Sequence, residues 1–357
     1  MPQHVRRATC SRGSAATSAR TAVPRTSRTA AAARPLSSVV GASMSFEVLS
    51  REFRSTVGVG GRVTALFLLA ASALAAAAPA PAREGKLLLT GGVSSIDGAA
   101  GGGLTPWALT GSYASVGQFG ASAYLTRLRT QDYGLTGYGV ATSFDERIEL
   151  SLARQDFDTG RTGTALGLPG LRLKQDIFAL KLRIAGDAVL DSDTWMPQIA
   201  IGLERKRLDA GGLAPTLHAL GADDRGTDVY LSATKLLLAQ GVLLNTTLRA
   251  TKANQNGLLG FGGTARDRYK LLPEFSVAWL LRRNLAIGAE YRFKPDNLNP
   301  SLLGNGLAED DWKDLFIAWA PGKNLSLTLA WVDLGRIVPA VVDRHQSGAY
   351  LSAQVAF

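Results

Sequence analysis

From Lys86 to Phe357 the chain repeats one pattern: segments of about ten residues in which apolar and polar positions alternate, broken by turn residues. Successive side chains of a strand point to opposite faces, so each segment has an apolar side and a polar side. Within 284–294, Leu285, Ile287, Ala289, Tyr291 and Phe293 lie opposite Gly288, Glu290, Arg292 and Lys294. Within 323–333, Leu325, Leu327, Leu329 and Trp331 oppose Asn324, Ser326 and Thr328; within 147–157, Ile148, Leu150 and Leu152 oppose Arg147, Glu149 and Ser151. A soluble β-sandwich also alternates. It does not explain charged residues that share a side with Gly and Ser in strand after strand. In a membrane barrel that side is the lumen, since Lys or Arg facing lipid at the midplane costs roughly 2–4 kcal/mol.

The pattern predicts fourteen strands: 86–95, 105–115, 119–130, 133–144, 147–157, 172–185, 195–206, 227–238, 242–252, 270–281, 284–294, 311–320, 323–333 and 347–357. Connections alternate between short and long from the C-terminus back to residue 207, as periplasmic turns and extracellular loops do. The rhythm weakens near the start, where the Thr130–Tyr133 connection is short although it should be external. The expected architecture is therefore an all-β, antiparallel transmembrane β-barrel of about fourteen strands, with twelve if the Gly-rich first pair is not in the wall. Two strands fit less cleanly: 172–185 changes parity near Gln175, and Lys235 falls on an apolar parity. Trp195, Tyr269, Tyr291, Trp312, Trp319 and Trp331 lie near strand ends and suit interfacial girdles.

The last segment places Ala349, Leu351, Ala353, Val355 and Phe357 on one face, against Gly348, Tyr350, Ser352, Gln354 and Ala356. A chain ending in this way on an aromatic resembles bacterial outer-membrane β-barrels. The resemblance implies that this strand closes the barrel and that Tyr350, Val355 and Phe357 carry the signal read by the barrel-assembly machinery. Outer-membrane lipid is the other expected partner.

Charge is unevenly distributed. Residues 1–82 hold ten Arg against Glu47 and Glu52, whereas residues 83–357 hold 29 Lys and Arg against 27 Asp and Glu. The body is nearly neutral, so the formal charge of +10 does not imply a nucleic-acid partner. The single cysteine, Cys10, also precedes the body, which leaves no disulfide framework or thiolate metal site there. Arg51, Arg54 and Arg62, an apolar run over 63–78 and a small-residue stretch ending at Ala82 make 44–82 a secretory signal peptide. Residues 1–43, without an acid, are expected to be an over-called start or a non-structured extension, leaving 83–357 as one outer-membrane barrel domain.

The body opens on 86–107, which contains Ser95-Ile96-Asp97-Gly98-Ala99-Ala100-Gly101-Gly102-Gly103. This block resembles an uncharacterised proteobacterial family of predicted outer-membrane proteins of unknown function, and the likeness runs from Lys86 to Phe357. It implies a barrel and a location, and lends no activity or catalytic residues. The glycines lack the following Lys-Ser/Thr of a P-loop and suit a turn or close backbone packing. Fourteen-strand fatty-acid-type transporters carry an N-terminal hatch. Here only 83–85 precede the first expected strand, so a plug would have to come from 96–104 or from folded-in loops.

Barrel size bears on function. Eight strands are filled by their own side chains and sixteen to eighteen leave an aqueous channel, so about fourteen suits a narrow or loop-gated lumen. The expected function is a passive channel or small-molecule uptake protein of unknown solute, with Glu149, Glu204, Arg249, Glu274, Glu290 and Arg292 lining the lumen and setting selectivity. Leu258, Leu259, Phe261, Leu302 and Leu303 put more apolar surface in the loops than solvation requires. They form a candidate capture surface, or pack on one another over the barrel mouth. A sealed structural or surface-binding barrel is the alternative. A third reading, a lipid-modifying hydrolase, rests on His345-Gln346-Ser347, but no acid follows Ser347 to orient the histidine. No cofactor and no metal site are expected, the body having two histidines, His218 and His345.

Overall fold

The computed structural model describes residues 86–357 apart from 92, 190–193 and 302–303; the presequence readings for 1–82 lie outside the described residues. Twelve strands close into one antiparallel barrel in which every strand pairs with its sequence neighbours. They are β1 (Phe119–Thr130), β2 (Gly134–Phe144), β3 (Ile148–Asp158), β4 (Arg172–Ala185), β5 (Gln198–Asp209) and β6 (Arg225–Leu237), then β7 (Val242–Thr251), β8 (Lys270–Arg282), β9 (Leu285–Arg292), β10 (Trp312–Gly322), β11 (Leu325–Asp333) and β12 (Ser347–Ala356). The seam pairs β1 with β12 from Ser122↔Ala356 to Thr130↔Gly348, and the Phe357 amide donates to Ala121 O (2.8 Å) just beyond it.

The first two expected strands, 86–95 and 105–115, are not in the wall. Their glycines remove the side chains a strand would pack, and residues 94–114 are instead buried inside the barrel. Twelve strands therefore remain, and the chain enters β1 and leaves β12 at the same rim.

Alternation governs the wall. Leu150, Leu152, Phe178, Leu180, Leu203, Leu231, Leu248, Val277, Ile287, Ile317, Leu329 and Leu351 are exposed on the outward face, while Glu149, Ser151, Gln175, Lys181, Glu204, Ser232, Arg249, Ser276 and Glu290 are buried inside. An apolar band outside and a polar interior are what a lipid-facing barrel requires. β4 keeps one parity throughout: Arg172, Lys174 and Asp176 face outward above Phe178, so the band ends there rather than the strand switching faces. Asp176 is held on that outer surface by a two-point contact to Arg154 (2.5 and 2.7 Å). Lys235 also faces outward, near the opposite edge, and extends its Nζ to Met196 O (3.1 Å). Trp195, Trp279 and Trp319 lie outward toward the rim of short turns, Tyr291 and Trp331 toward the other. Trp312 is the exception to the girdle expectation. It takes the inward parity of β10 and is 3% exposed.

The long connections gather at one rim, apart from the β4–β5 connection of 186–197, which lies at the other. Between β3 and β4 lies α1 (Gly160–Ala165), and between β5 and β6 lies α2 (Ala214–Ala219). The short β1–β2 turn belongs to this rim as well. The β11–β12 loop covers it, with Arg344 and Gln346 donating to Asp132 Oδ2 at 2.6 and 2.7 Å. Burial pushes the Asp132 carboxyl up, but the hydrogen bonds from Gln346 and Arg344 outweigh it and hold the acid below its usual range. At the opposite rim β2 and β3 meet in a tight hairpin whose Asp145 and Glu146 both have positive φ (54° and 52°), the type I′ geometry that matches strand twist.

Leu329→Arg, at the middle of the outward face of β11, is expected to destabilise the folded barrel in lipid vesicles by about 2–4 kcal/mol. Denaturant titration of refolding, followed by tryptophan emission, measures it; an unchanged midpoint would remove Leu329 from the lipid-facing band.

Candidate functional site

The lumen is occupied by the glycine-rich segment, folded on itself as a compact plug. Ile96 N donates to Gly103 O (2.8 Å), Ser95 N to Ala99 O (2.8 Å), Gly102 N to Thr105 O (3.0 Å) and Trp107 N to Ala100 O (3.1 Å). Two glycines are needed at their positions. Gly98 has φ +94° and backs onto Ala153, and a Cβ on Gly102 would fall 2.0 Å from Glu290 Oε1.

Wall side chains satisfy the backbone groups that the plug leaves unpaired. Glu149 accepts from Ala100 N (3.0 Å) and Gly111 N (2.5 Å), and Glu290 from Leu104 N (2.6 Å) and Thr105 Oγ1 (2.7 Å). Lys181 donates to Ala100 O and Leu109 O (2.8 Å each) while it pairs with Glu149 (3.2 Å). Gln198 donates to Ala108 O (2.6 Å), Thr247 to Pro106 O (2.8 Å), and the Trp107 indole to Ser276 Oγ (3.0 Å). The Thr105 and Ser276 hydroxyls are also in hydrogen-bond contact. Such bonds to charged groups contribute about 1.5–3 kcal/mol each, and an orphaned buried partner costs as much.

At the centre lies Asp97, fully buried. Its carboxylate meets Arg292 Nη1 (3.0 Å), Lys206 Nζ (3.3 Å) and Arg249 Nη2 (3.9 Å), and accepts from Asn256 Nδ2 (2.7 Å). The cations are tied to wall acids too. Arg249 reaches Glu204 and Glu274 at 2.6 Å each, Lys206 reaches Glu204 and Asp228 at 3.2 Å each, and Arg292 reaches Glu274 at 3.2 Å. Asn256 comes from the β7–β8 loop, which dips into the barrel through two left-handed residues, Gln255 (φ 45°) and Asn256 (φ 61°). Asparagine is among the few side chains that tolerate that backbone.

All six expected lumen residues, Glu149, Glu204, Arg249, Glu274, Glu290 and Arg292, point inward and are buried, and four of them (Glu149, Arg249, Glu290 and Arg292) touch the plug directly. Glu204 and Glu274 act through Arg249. Sequence reasoning missed Asp97, Lys181, Lys206, Asp228 and Asn256. Lys206 and Asp228 were readable from parity, since Lys206 shares a face with Glu204 and pairs across to Gly226 beside Asp228. Lys181 was hidden by the apparent parity change in β4. Asp97 and Asn256 lie outside the wall, where no periodicity applies.

The loops form a cap over the plug. Leu258, Leu259 and Phe261, candidates for a capture surface, are buried in it with Leu298, Leu307, Ile337 and Val338; Leu302 and Leu303 lie outside the described residues. Beneath the cap is a wholly apolar cavity of about 20 Å³, lined by Ile96, Leu128, Leu135, Phe157, Leu259 and Trp312 among others. A latch closes the base of the β9–β10 loop: Lys294 Nζ is 3.3 Å from Glu309 of the same loop and 4.0 Å from the ring centroid of wall residue Trp312. Burial lowers Lys294 to about 8 and raises Glu309 to about 6.

Other sequence candidates are scattered. His345 Nδ1 faces Asp333 Oδ1 at 3.7 Å, Asp343 pairs with Arg336 at 3.7 Å, and the Ser347 hydroxyl accepts from Gln131 Nε2 at 3.0 Å. Tyr350 lies inside the barrel, and Val355 faces outward on β12. Among the described residues no group of three or more His, Cys, Asp or Glu is arranged to hold a metal ion.

Residues 90–354, nearly the whole barrel with its plug, match the family described as protein of unknown function (DUF3034). The chain belongs to this family. No curated protein matches it. Among solved structures, the NanC porin shares 6% identity at a TM-score of 0.42, with 66% of this chain and 98% of the porin covered. Outer membrane phospholipase A from Escherichia coli shares 8% identity at a TM-score of 0.38, covering 66% of this chain and 92% of that one. The Pseudomonas putida toluene transporter TodX shares 10% identity at a TM-score of 0.37, covering 68% and 89%. Likenesses so distant assign neither solute nor chemistry.

The latch makes a pH prediction. Glu309, raised by burial, contributes stability that is present at low pH and lost as pH rises through about 6; Lys294, lowered, contributes stability present at high pH and lost as pH falls through about 8. Both are charged and buried between these values, where the latch is least favourable. The melting-temperature difference between Lys294→Met/Glu309→Gln and wild type is therefore expected to favour the variant most between about pH 6 and 8. A difference independent of pH from 5 to 9 would contradict it.

Proposed function

We propose that this chain is an outer-membrane uptake barrel, non-catalytic, closed at rest by its own plug and opened to a small molecule when the plug moves. The long-loop rim faces outward from the cell and the rim where β1 begins and β12 ends faces the periplasm. The secretory reading of 44–82 supplies the export that this location needs. The observation that carries the proposal is the polarity of the plug–wall contact. Alongside apolar contacts of Leu89, Leu104, Trp107 and Leu109 with the wall, the plug is held by a dense set of hydrogen bonds and ion pairs to side chains, and water replaces that polar share far more cheaply than it replaces an apolar core. A barrel needed only as a scaffold gains more from apolar filling, because replacing buried ion pairs by well-packed hydrophobic residues is often neutral or stabilising.

A second reading, a permanently sealed barrel with a structural or surface-binding role, is favoured by the completeness of the filling, with plug and cap both buried. The body contains no cysteine, so a disulfide placed there reports unambiguously. Thr105→Cys/Ser276→Cys replaces two side chains in contact across the plug–wall boundary. In planar bilayers the oxidised double variant is expected to be silent, and its reduction to restore the discrete current steps of wild type. Silence of folded wild type and of the reduced variant alike would favour the sealed barrel.

Lumen charge then sets selectivity. Glu290→Ala and Arg292→Ala are expected to shift the reversal potential in a salt gradient in opposite directions, Glu290→Ala toward anion selectivity. Unchanged potentials would remove both residues from the conducting path.

A further inference from the structure

Building on the uptake reading, we propose that the lumen holds a binding site for a small amphipathic carboxylate, an apolar chain or ring ending in a carboxyl group, and that Ile96 and Asp97 of the plug occupy the site at rest. The two residues are adjacent in the chain and fill two adjoining environments of opposite character. Ile96 lines the apolar cavity under the cap, with Leu128, Leu135, Phe157, Leu259 and Trp312. Asp97 places its carboxylate among Lys206, Arg249, Arg292 and the Asn256 amide.

Each half of the site is built from side chains that stay behind when the plug leaves. The polar half consists of wall residues plus Asn256, and all three cations are almost completely buried. The apolar half is wall and cap. Trp312 and the Gln255–Asn256 turn join the two: the Trp312 ring lines the cavity and has the Arg292 guanidinium 5.9 Å from its centroid, while Gln255 lines the cavity and Asn256 donates to the carboxylate.

Net charge does not account for Asp97. Glu204, Asp228 and Glu274 already balance Lys206, Arg249 and Arg292, so Asp97 is a fourth carboxylate in a balanced cluster. Donor geometry holds it there: Arg249 Nη2 is buried, points toward Asp97 at 3.9 Å and has no hydrogen-bond partner, while oxygens of Glu204, Asp228 and Glu274 also lack one. An incoming carboxylate placed slightly closer to Arg249 would take up that unpaired donor. Withdrawal of the plug frees both the charged position and the volume of the Ile96 side chain in one movement, enlarging a cavity of about 20 Å³ that is otherwise too small for any such ligand.

The test uses the full barrel in detergent with Asp97→Asn, which removes the resident charge while keeping shape, and with Asp97→Ala. Octanoate, octanol and octylamine are titrated below their micelle-forming ranges, and binding is read from tryptophan emission and checked by calorimetry. The expected result is that either Asp97 variant binds octanoate at least about tenfold tighter than wild type and in clear preference to octanol, the scale of one hydrogen bond to a charged group. Adding Arg292→Gln to Asp97→Asn should abolish that preference while leaving octanol binding unchanged. Equal affinity for octanoate and octanol in folded Asp97 variants, or tighter binding of octylamine, would overturn the proposal. If Asp97→Ala does not fold, Asp97→Asn and the competition of octanoate with the plug in wild type, read as an octanoate-dependent rise in open probability that octanol does not produce, decide the same question. Binding without current would refute the uptake reading and keep the site; current without carboxylate preference would refute the site alone.

Discussion

A buried charge has to be met by donors, and in this barrel the Asp97 carboxylate sets what the surrounding pieces must do. Three wall strands contribute Lys206, Arg249 and Arg292, and the β7–β8 loop bends inward through a left-handed turn to bring Asn256. The plug has to turn tightly enough to hold the carboxylate among these donors, which is where Gly98 at φ +94° and the side-chain-free Gly102 against Glu290 become necessary. Plug, wall and cap therefore meet at one group. Breaking a buried pair on one side costs about 3–5 kcal/mol, so the closed arrangement is well defined even though most of its contacts are polar.

The two regions around this centre use different physics. Toward the rim of short turns the plug is fixed by backbone-to-side-chain hydrogen bonds from Glu149, Lys181, Gln198 and Thr247, which are directional and specify one position. Toward the long-loop rim Leu258, Leu259, Phe261 and their neighbours pack by area, and Lys294, paired with Glu309, rests on wall residue Trp312. Apolar packing tolerates rearrangement better than a satisfied polar network does.

The wall was legible in the sequence because a period of two follows directly from strand geometry and the membrane penalises any lapse in it. That constraint puts Glu149, Glu204, Arg249, Glu274, Glu290 and Arg292 on the inward face from alternation alone. It misled at Trp312, where aromatic type suggested a girdle while the parity of β10 pointed inward, and at β4, where the end of the apolar band looked like a change of face. The plug was less legible. Its glycines mimic a weak strand pair, and the partners that define its fold lie up to 195 residues away, as Arg292 does from Asp97. Asn256 gave no local signal either, because its role depends on a loop turning inward.

Lys86 at the start of the plug lies 3.7 Å from Glu146, and Gly117 at its end donates to Asp145 at 2.7 Å; both contacts fall on the same β2–β3 hairpin. The plug is consequently a bight rather than a thread, entering and leaving by one rim without crossing the barrel. Its geometry leaves a way out that unpairs no wall strand and keeps the seam between β1 and β12 shut.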